Sequence, residues 1–194
     1  SPETLVKIRR DEQLAAAKIL GVKDVRFLPF EDGGMYDEVA LRIEIAKVIA
    51  EIKPDVVIGP DHKLYPESHP DHLRVGEAVS KAYFMCSNVN MMKSVGATQI
   101  AKPTVLAYYF TGKPNRFVKI TKKDFEKTKA AYACFVSQCP PPDNGKSLML
   151  YMRLKVRLNG LRSFHIRADA FRVMNNMHIH CCGEAEDTAI RRPL

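Results

Sequence analysis

The sequence predicts an α/β fold built on a mostly parallel sheet with helices on both faces. Apolar residues recur at helical spacing in some segments and as short unbroken runs in others, and the two patterns alternate along the chain. Val56, Val57 and Ile58 form a wholly apolar run, as expected of a parallel strand covered on both faces. The 194 residues suffice for one sizeable domain. A hydrophobic fraction of 46% with 27% charged residues excludes a disordered, collagen-like or disulfide-stapled chain.

Ser1 and Pro2 read as an N-cap followed by proline at the first helical position. Leu5, Ile8, Leu14, Ala17 and Leu20 then keep helical spacing until Gly21 stops the run. Val25 to Leu28 reads as a short strand, and the glycine-containing stretch Glu31 to Gly34 as a turn. Val39, Ile43, Ala46, Val48 and Ile49 mark a second helix closed by Pro54, and the Val56 to Ile58 strand follows. A polar loop from Gly59 to Ser68 leads to Pro70 and a helix carrying Leu73, Val75, Ala78, Val79 and Ala82. Val105 to Phe110 reads as a strand, and the stretch through Pro114 and Asn115 as a hairpin or loop. Thr121-Lys122-Lys123-Asp124 has the form of a capping box opening a helix that Pro140, Pro141 and Pro142 break off. A helix around Leu148 to Leu158, a strand around Phe164 to Phe171 and a tail complete the chain.

The 30 basic and 22 acidic residues give a net charge of +8. Part of the excess is local: Arg153, Lys155, Arg157, Arg162, Arg167 and Arg172 face the single acid Asp169. No recognised nucleic-acid motif accompanies them, so the cluster reads as a solvated or oligomer-facing surface, with polyanion binding or self-association as the alternative. The five cysteines are odd in number and irregularly spaced. With no signal peptide and no apolar run of membrane-spanning length, a reducing, cytoplasmic setting is expected. His178, His180, Cys181 and Cys182 form a short group of soft ligands without partners at zinc-finger spacing.

Ligands of open α/β sheets sit beyond the carboxyl ends of the strands, which directs attention to the loop after Ile58. It carries Asp61, His62, Tyr65, Glu67, His69, Asp71 and His72. His69-Pro70-Asp71-His72 packs two imidazoles and a carboxylate into the mouth of a helix. One histidine could bind a metal while the other serves a reaction, the carboxylate setting tautomer and orientation. The same tetrapeptide could also be a capped helix start with two surface histidines.

The ordered set of motifs resembles the LmbE-like/PIG-L family of zinc-dependent N-deacetylases. Arg9-Arg10-Asp11-Glu12 with Leu20-Gly21-Val22 is similar to that family's Arg-x-x-Glu helix leading into Leu-Gly-Val, and Asp32-Gly33-Gly34-Met35 to its acidic turn. Lys53-Pro54-Asp55-Val56-Val57 precedes His69-Pro70-Asp71-His72 at the family's distance. Ile120-Thr121 with Ser137-Gln138 resembles its late helix, and Ala168-Asp169-Ala170-Phe171 its closing strand, with aspartate in place of glutamate.

The resemblance implies a Rossmann-like fold, a Zn2+ cofactor and removal of an acetyl group from an N-acetylglucosamine-type small molecule by metal-activated water. It implies His72 as a metal ligand, His69 as the group that stabilises the oxyanion and protonates the leaving amine, and Asp71 as its orienting carboxylate. Arg9 and Asp32 would contact substrate, with Arg10 as the neighbouring register for Arg9. The family's first motif, Ala-His-Pro-Asp-Asp-Glu, has no counterpart here. The expectation is an α/β domain over 1–172 lacking its N-terminal βαβ portion, followed by a tail over 173–194, with two metal ligands and the general base lying before Ser1. A non-catalytic α/β protein using the basic 153–172 stretch is the competing reading. No nucleic-acid partner and no membrane span are expected, and a homo-oligomer stays open.

Overall fold

The computed structural model describes residues 1–180. The described residues divide into two compact units, one formed by Ser1–Phe27 and Phe117–Asp169, the other by Leu28–Arg116 with residues 170–180.

The first unit opens with helix α1 (Pro2–Leu20). The Ser1 hydroxyl accepts the Thr4 N–H, and Gly21, at φ 83°, closes the helix in the left-handed conformation that glycine adopts without strain. α1 packs on α5 (Lys122–Tyr132), whose start is the predicted capping box: Thr121 Oγ1 accepts the Asp124 N–H and Asp124 accepts the Thr121 N–H. The Glu12 carboxylate takes both the N–H and the hydroxyl of Ser137, each at 2.7 Å, fixing the short 3-10 turn Val136–Gln138 against α1. α5 stops at Tyr132, well ahead of Pro140, so the prolines do not end it.

Helix α6 (Lys146–Arg162) is longer than its apolar spacing suggested. Ser163 and His165 N–H groups both donate to the Gly160 carbonyl, and a Cβ on Gly160 would come within 2.6 Å of the His165 carbonyl. This tight reversal, with Phe164 at φ 57°, forbids the strand expected at Phe164. That strand, β4, instead spans Ala168–Asn175.

The second unit holds α2 (Glu38–Ile52), β1 (Val56–Pro60), α3 (Pro70–Met85), α4 (Val89–Ser94) and β2 (Val105–Tyr109), with β3 (Arg116–Lys119) beginning at its boundary. α4 and β3 were not foreseen from the sequence. β1 pairs in parallel with β2 (Val57 with Leu106, Ile58 with Ala107), and β2 pairs antiparallel with β4 (Ala107 with Val173). The fold is therefore α/β with a mixed sheet.

Its core is Ile49, Val57, Val79, Ala82, Tyr83, Met92, Leu106 and Tyr108, supplied by α2, α3, α4, β1 and β2. β1 stands at the sheet edge, and its burial alternates: Val57 is buried while Val56 and Ile58 stay about half exposed. The expectation of a strand covered on both faces thus fails among the described residues. Val25 to Leu28 likewise forms no strand, because no neighbouring segment offers it a hydrogen-bonded ladder.

Candidate functional site

The site is built where β1 runs into α3. Asp61 follows the last strand residue, and its N–H donates to the Tyr109 carbonyl, extending the β1–β2 pairing by one bond. Its carboxylate, 5% exposed, meets both Nε and a terminal nitrogen of Arg172, itself 7% exposed. The guanidinium lies 4.5 Å over the Tyr108 ring. Burial works to raise the Asp61 pKa, but the hydrogen bonds from Arg172 and Thr111, the Arg172 charge and the Lys63 N–H together outweigh it and hold the carboxyl below the usual range. Arg172 is therefore an interior partner of the loop and leaves the surface basic cluster to which the sequence assigned it. His62 packs edge-on to Tyr108, and burial, with the Arg172 charge, pushes its pKa down. Tyr65 projects into solvent.

The loop then folds back through Leu64 to Glu67, whose carboxylate spans the tetrapeptide. The His69 N–H donates to Oε1 at 2.8 Å, and Oε2 lies 2.7 Å from His72 Nδ1. These bonds, the His72 one foremost, hold the Glu67 carboxyl below its usual range. Pro70 begins α3 because its missing N–H is one the first helical turn leaves unused. His69 is the N-cap: the Asp71 N–H donates to its Nδ1 at 3.3 Å. The two rings stack, centroids 4.8 Å apart and planes at 27°, with Phe110 6.1 Å from His72.

Asp71 turns toward the Asp32–Gly34 turn. The Gly33 N–H donates to one carboxylate oxygen at 2.8 Å and the Tyr36 hydroxyl to the other at 2.9 Å. Burial opposes ionisation of Asp71, and the bonds from Gly33, Asp32 and Tyr36 overcome it, so its pKa lies below normal. Burial and the bond to Asp71 push the Tyr36 phenol up to about 12. Gly34 is required here: it has φ 73°, and a Cβ would sit 2.8 Å from Pro70 Cβ. Asp71 lies 3.9 Å from His69 Nδ1, too far for a hydrogen bond, so its direct partners are the turn and Tyr36.

Asp32, His69 and Asp71 bring one potential ligand atom each within 4.8 Å of one another. His72 falls outside this group. Of the five residues singled out by the sequence, Asp32, His69, Asp71 and His72 thus meet in the second unit, while Arg9 lies on α1 in the first. The structure adds Glu67, named in the loop but given no role, and Tyr36 and Arg172, which no local pattern marked as part of the site. His178 accepts the Asn175 N–H and His180 stacks on Phe84, whereas Cys181 and Cys182 lie outside the described residues.

In the first unit, α5 and α6 border a groove of about 430 Å³ with Phe125 and Met149 among its lining. Lys122, Lys146, Arg153, Arg157 and Arg167 line it and make no ion pair among the described residues.

Fold and site define an α/β protein with a paired-histidine, carboxylate-rich centre at the carboxyl end of a parallel strand. The family described as GlcNAc-PI de-N-acetylase, PIG-L, matches residues 1–83. A diacetylchitobiose deacetylase of Thermococcus kodakarensis is 32% identical over 178 residues, covering 90% of this chain and 65% of the relative. A probable N-acetyl-alpha-D-glucosaminyl L-malate deacetylase of Bacillus anthracis is 39% identical over 84 residues, or 41% of this chain and 35% of the relative. The solved N,N'-diacetylchitobiose deacetylase of Pyrococcus horikoshii superimposes with a TM-score of 0.81 at 28% identity, covering 93% of this chain and 68% of that one. These matches support the PIG-L/LmbE-like family for this chain. The chain spans about two thirds of the length of the Thermococcus relative.

Proposed function

We propose that this chain carries part of the active site of a metal-dependent hydrolase that removes the acetyl group from an N-acetylglucosamine-type sugar. One observation carries the reading: His69 and His72, stacked at the start of α3, have hydrogen-bond settings suited to different tasks. The deacetylase relatives named above support the substrate class.

The donor chemistry suits a divalent cation, since imidazole and carboxylate are the ligands zinc takes in hydrolytic sites. His72 would hold the metal. Both Asp71 oxygens are already engaged by Gly33 and Tyr36, which favours an anchoring role for Asp71 over ligation. The chemistry a bound metal supplies is Lewis-acid activation of water and of the amide carbonyl. His69 accepts the Asp71 N–H at Nδ1, which leaves Nε2–H as a hydrogen-bond donor for the developing oxyanion, while the departing amine would take the proton that the base removes from water. Asp71 keeps the Asp32 turn against α3, and Asp32 would meet sugar hydroxyls. Arg9 would meet more distant polar groups of the substrate.

A catalytic zinc normally takes three protein ligands, so further ligands and a base must join His72. The open edge of β1, with Val56 and Ile58 half exposed, is the proposed docking place for a strand that brings them. A reducing, cytoplasmic setting agrees with the free thiols of Cys86, Cys134 and Cys139.

The test is acetate release from N-acetylglucosamine and N,N'-diacetylchitobiose by the intact protein. Turnover that a chelator removes and zinc restores is expected. Absence of turnover on both sugars in zinc-loaded protein would refute the reading.

A further inference from the structure

We infer that Glu67 is a positioning residue that holds His72 in the Nδ1–H tautomer, opposite to that of His69, so that its Nε2 is left to serve as a metal ligand. The inference rests on the reading of His72 as a ligand.

A neutral imidazole carries one N–H and one lone pair, and the bond made at one nitrogen decides what the other can do. The Glu67 carboxylate has only acceptors, so the 2.7 Å contact to His72 Nδ1 requires the proton on Nδ1. Nε2 of His72 then offers its lone pair outward. At His69 the arrangement is reversed. Its Nδ1 accepts the Asp71 N–H, so the proton sits on Nε2. Two rings of the same type, stacked 4.8 Å apart, are thereby made chemically unlike.

Glu67 touches both residues, but only the ring of His72. Through Oε1 it fixes the His69 backbone N–H, and through Oε2 it fixes the His72 ring. Its own N–H donates to the Leu64 carbonyl at 3.0 Å, so the carboxylate is presented from a closed turn. That turn starts at Asp61, whose carboxylate is locked to Arg172. A chain of hydrogen bonds therefore runs from the interior ion pair, through the Asp61 and Leu64 carbonyls and Glu67, to the histidines. Outer carboxylates that bind a ligand's second nitrogen typically change metal affinity by about 10–100-fold.

The test uses the intact protein in three forms, wild type, Glu67→Ala and Glu67→Gln, with His72→Ala as reference. In metal-free protein, ring 15N shifts should report an Nδ1–H tautomer for His72 and an Nε2–H tautomer for His69. Glu67→Ala should move His72 toward Nε2–H and leave His69 as it was. Glu67→Gln, whose amide oxygen still accepts from Nδ1–H, should retain much of the wild-type signature. Zinc affinity, measured by chelator competition, should fall about 10–100-fold in Glu67→Ala and less in Glu67→Gln. An unchanged His72 tautomer in Glu67→Ala overturns the inference. So does unchanged zinc affinity in that variant when His72→Ala abolishes binding. If His72→Ala itself leaves zinc affinity intact, the ligand reading fails, independently of Glu67.

Discussion

The loop joining β1 to α3 and the groove between α5 and α6 are both rich in charge, and they treat it in opposite ways. In the loop and the first turn of α3, Asp61 is locked to Arg172, Glu67 to His69 and His72, and Asp71 to Gly33 and Tyr36. In the groove, five cations stand without an ion pair among the described residues. Paired and partly buried charge fixes geometry, which a reaction centre requires. Unpaired cations on an open groove set a potential and leave side chains free to move. The contrast favours the loop as the reaction centre and leaves the groove as a surface property.

The largest stability effect should come from the interior pair. Asp61→Ala strands a buried guanidinium and should lower stability by about 3–5 kcal/mol in urea unfolding. A loss under about 1 kcal/mol would remove the basis of the contrast. The same pair sets an acid response. The folded-state pKa of Asp61 is depressed, so its stabilisation is complete above the unfolded aspartate value of about 3.9 and is lost as pH falls through the folded value. Wild type should therefore lose stability more steeply than Asp61→Asn below about pH 4, and parallel curves would contradict this.

Tyr36→Phe removes one donor from Asp71 and should reduce stability by about 1 kcal/mol. The amide signals of Gly33 and Gly34 should shift with it; if they stay in place, the turn is held by something else. The smallest effect belongs to the groove. Arg153→Ala and Arg157→Ala should each change stability by no more than about 0.5 kcal/mol. A larger loss would show that these cations have a structural partner.

Local signals proved legible where a few neighbouring residues decide the outcome. Ser1 and Gly21 bounded α1, Thr121 and Asp124 formed their capping box, and His69-Pro70-Asp71-His72 fell at the start of α3 as its sequence required. Strands were harder because their existence depends on a partner. Val25 to Leu28 has the right composition but no ladder among the described residues, and β4 starts later than its apolar pattern because the reversal after α6 intervenes. The site was half legible. Asp32, His69, Asp71 and His72 came together, but Arg172 reads locally as one more arginine in a basic run, and its partner Asp61 is 111 residues away. Tyr36 carries no local sign of its bond to Asp71. Glu67 offered a weak one, an acid two residues before a histidine in a loop that leaves a strand.

The most direct measurement of the division of labour between the two histidines is zinc content and acetate release in His69→Ala and His72→Ala of the intact protein, assayed side by side. His72→Ala should lose both metal and turnover. His69→Ala should keep its zinc while turnover falls by about 10²–10⁴-fold. If His72→Ala retains its metal, or if His69→Ala loses it, the roles assigned to the two rings are wrong.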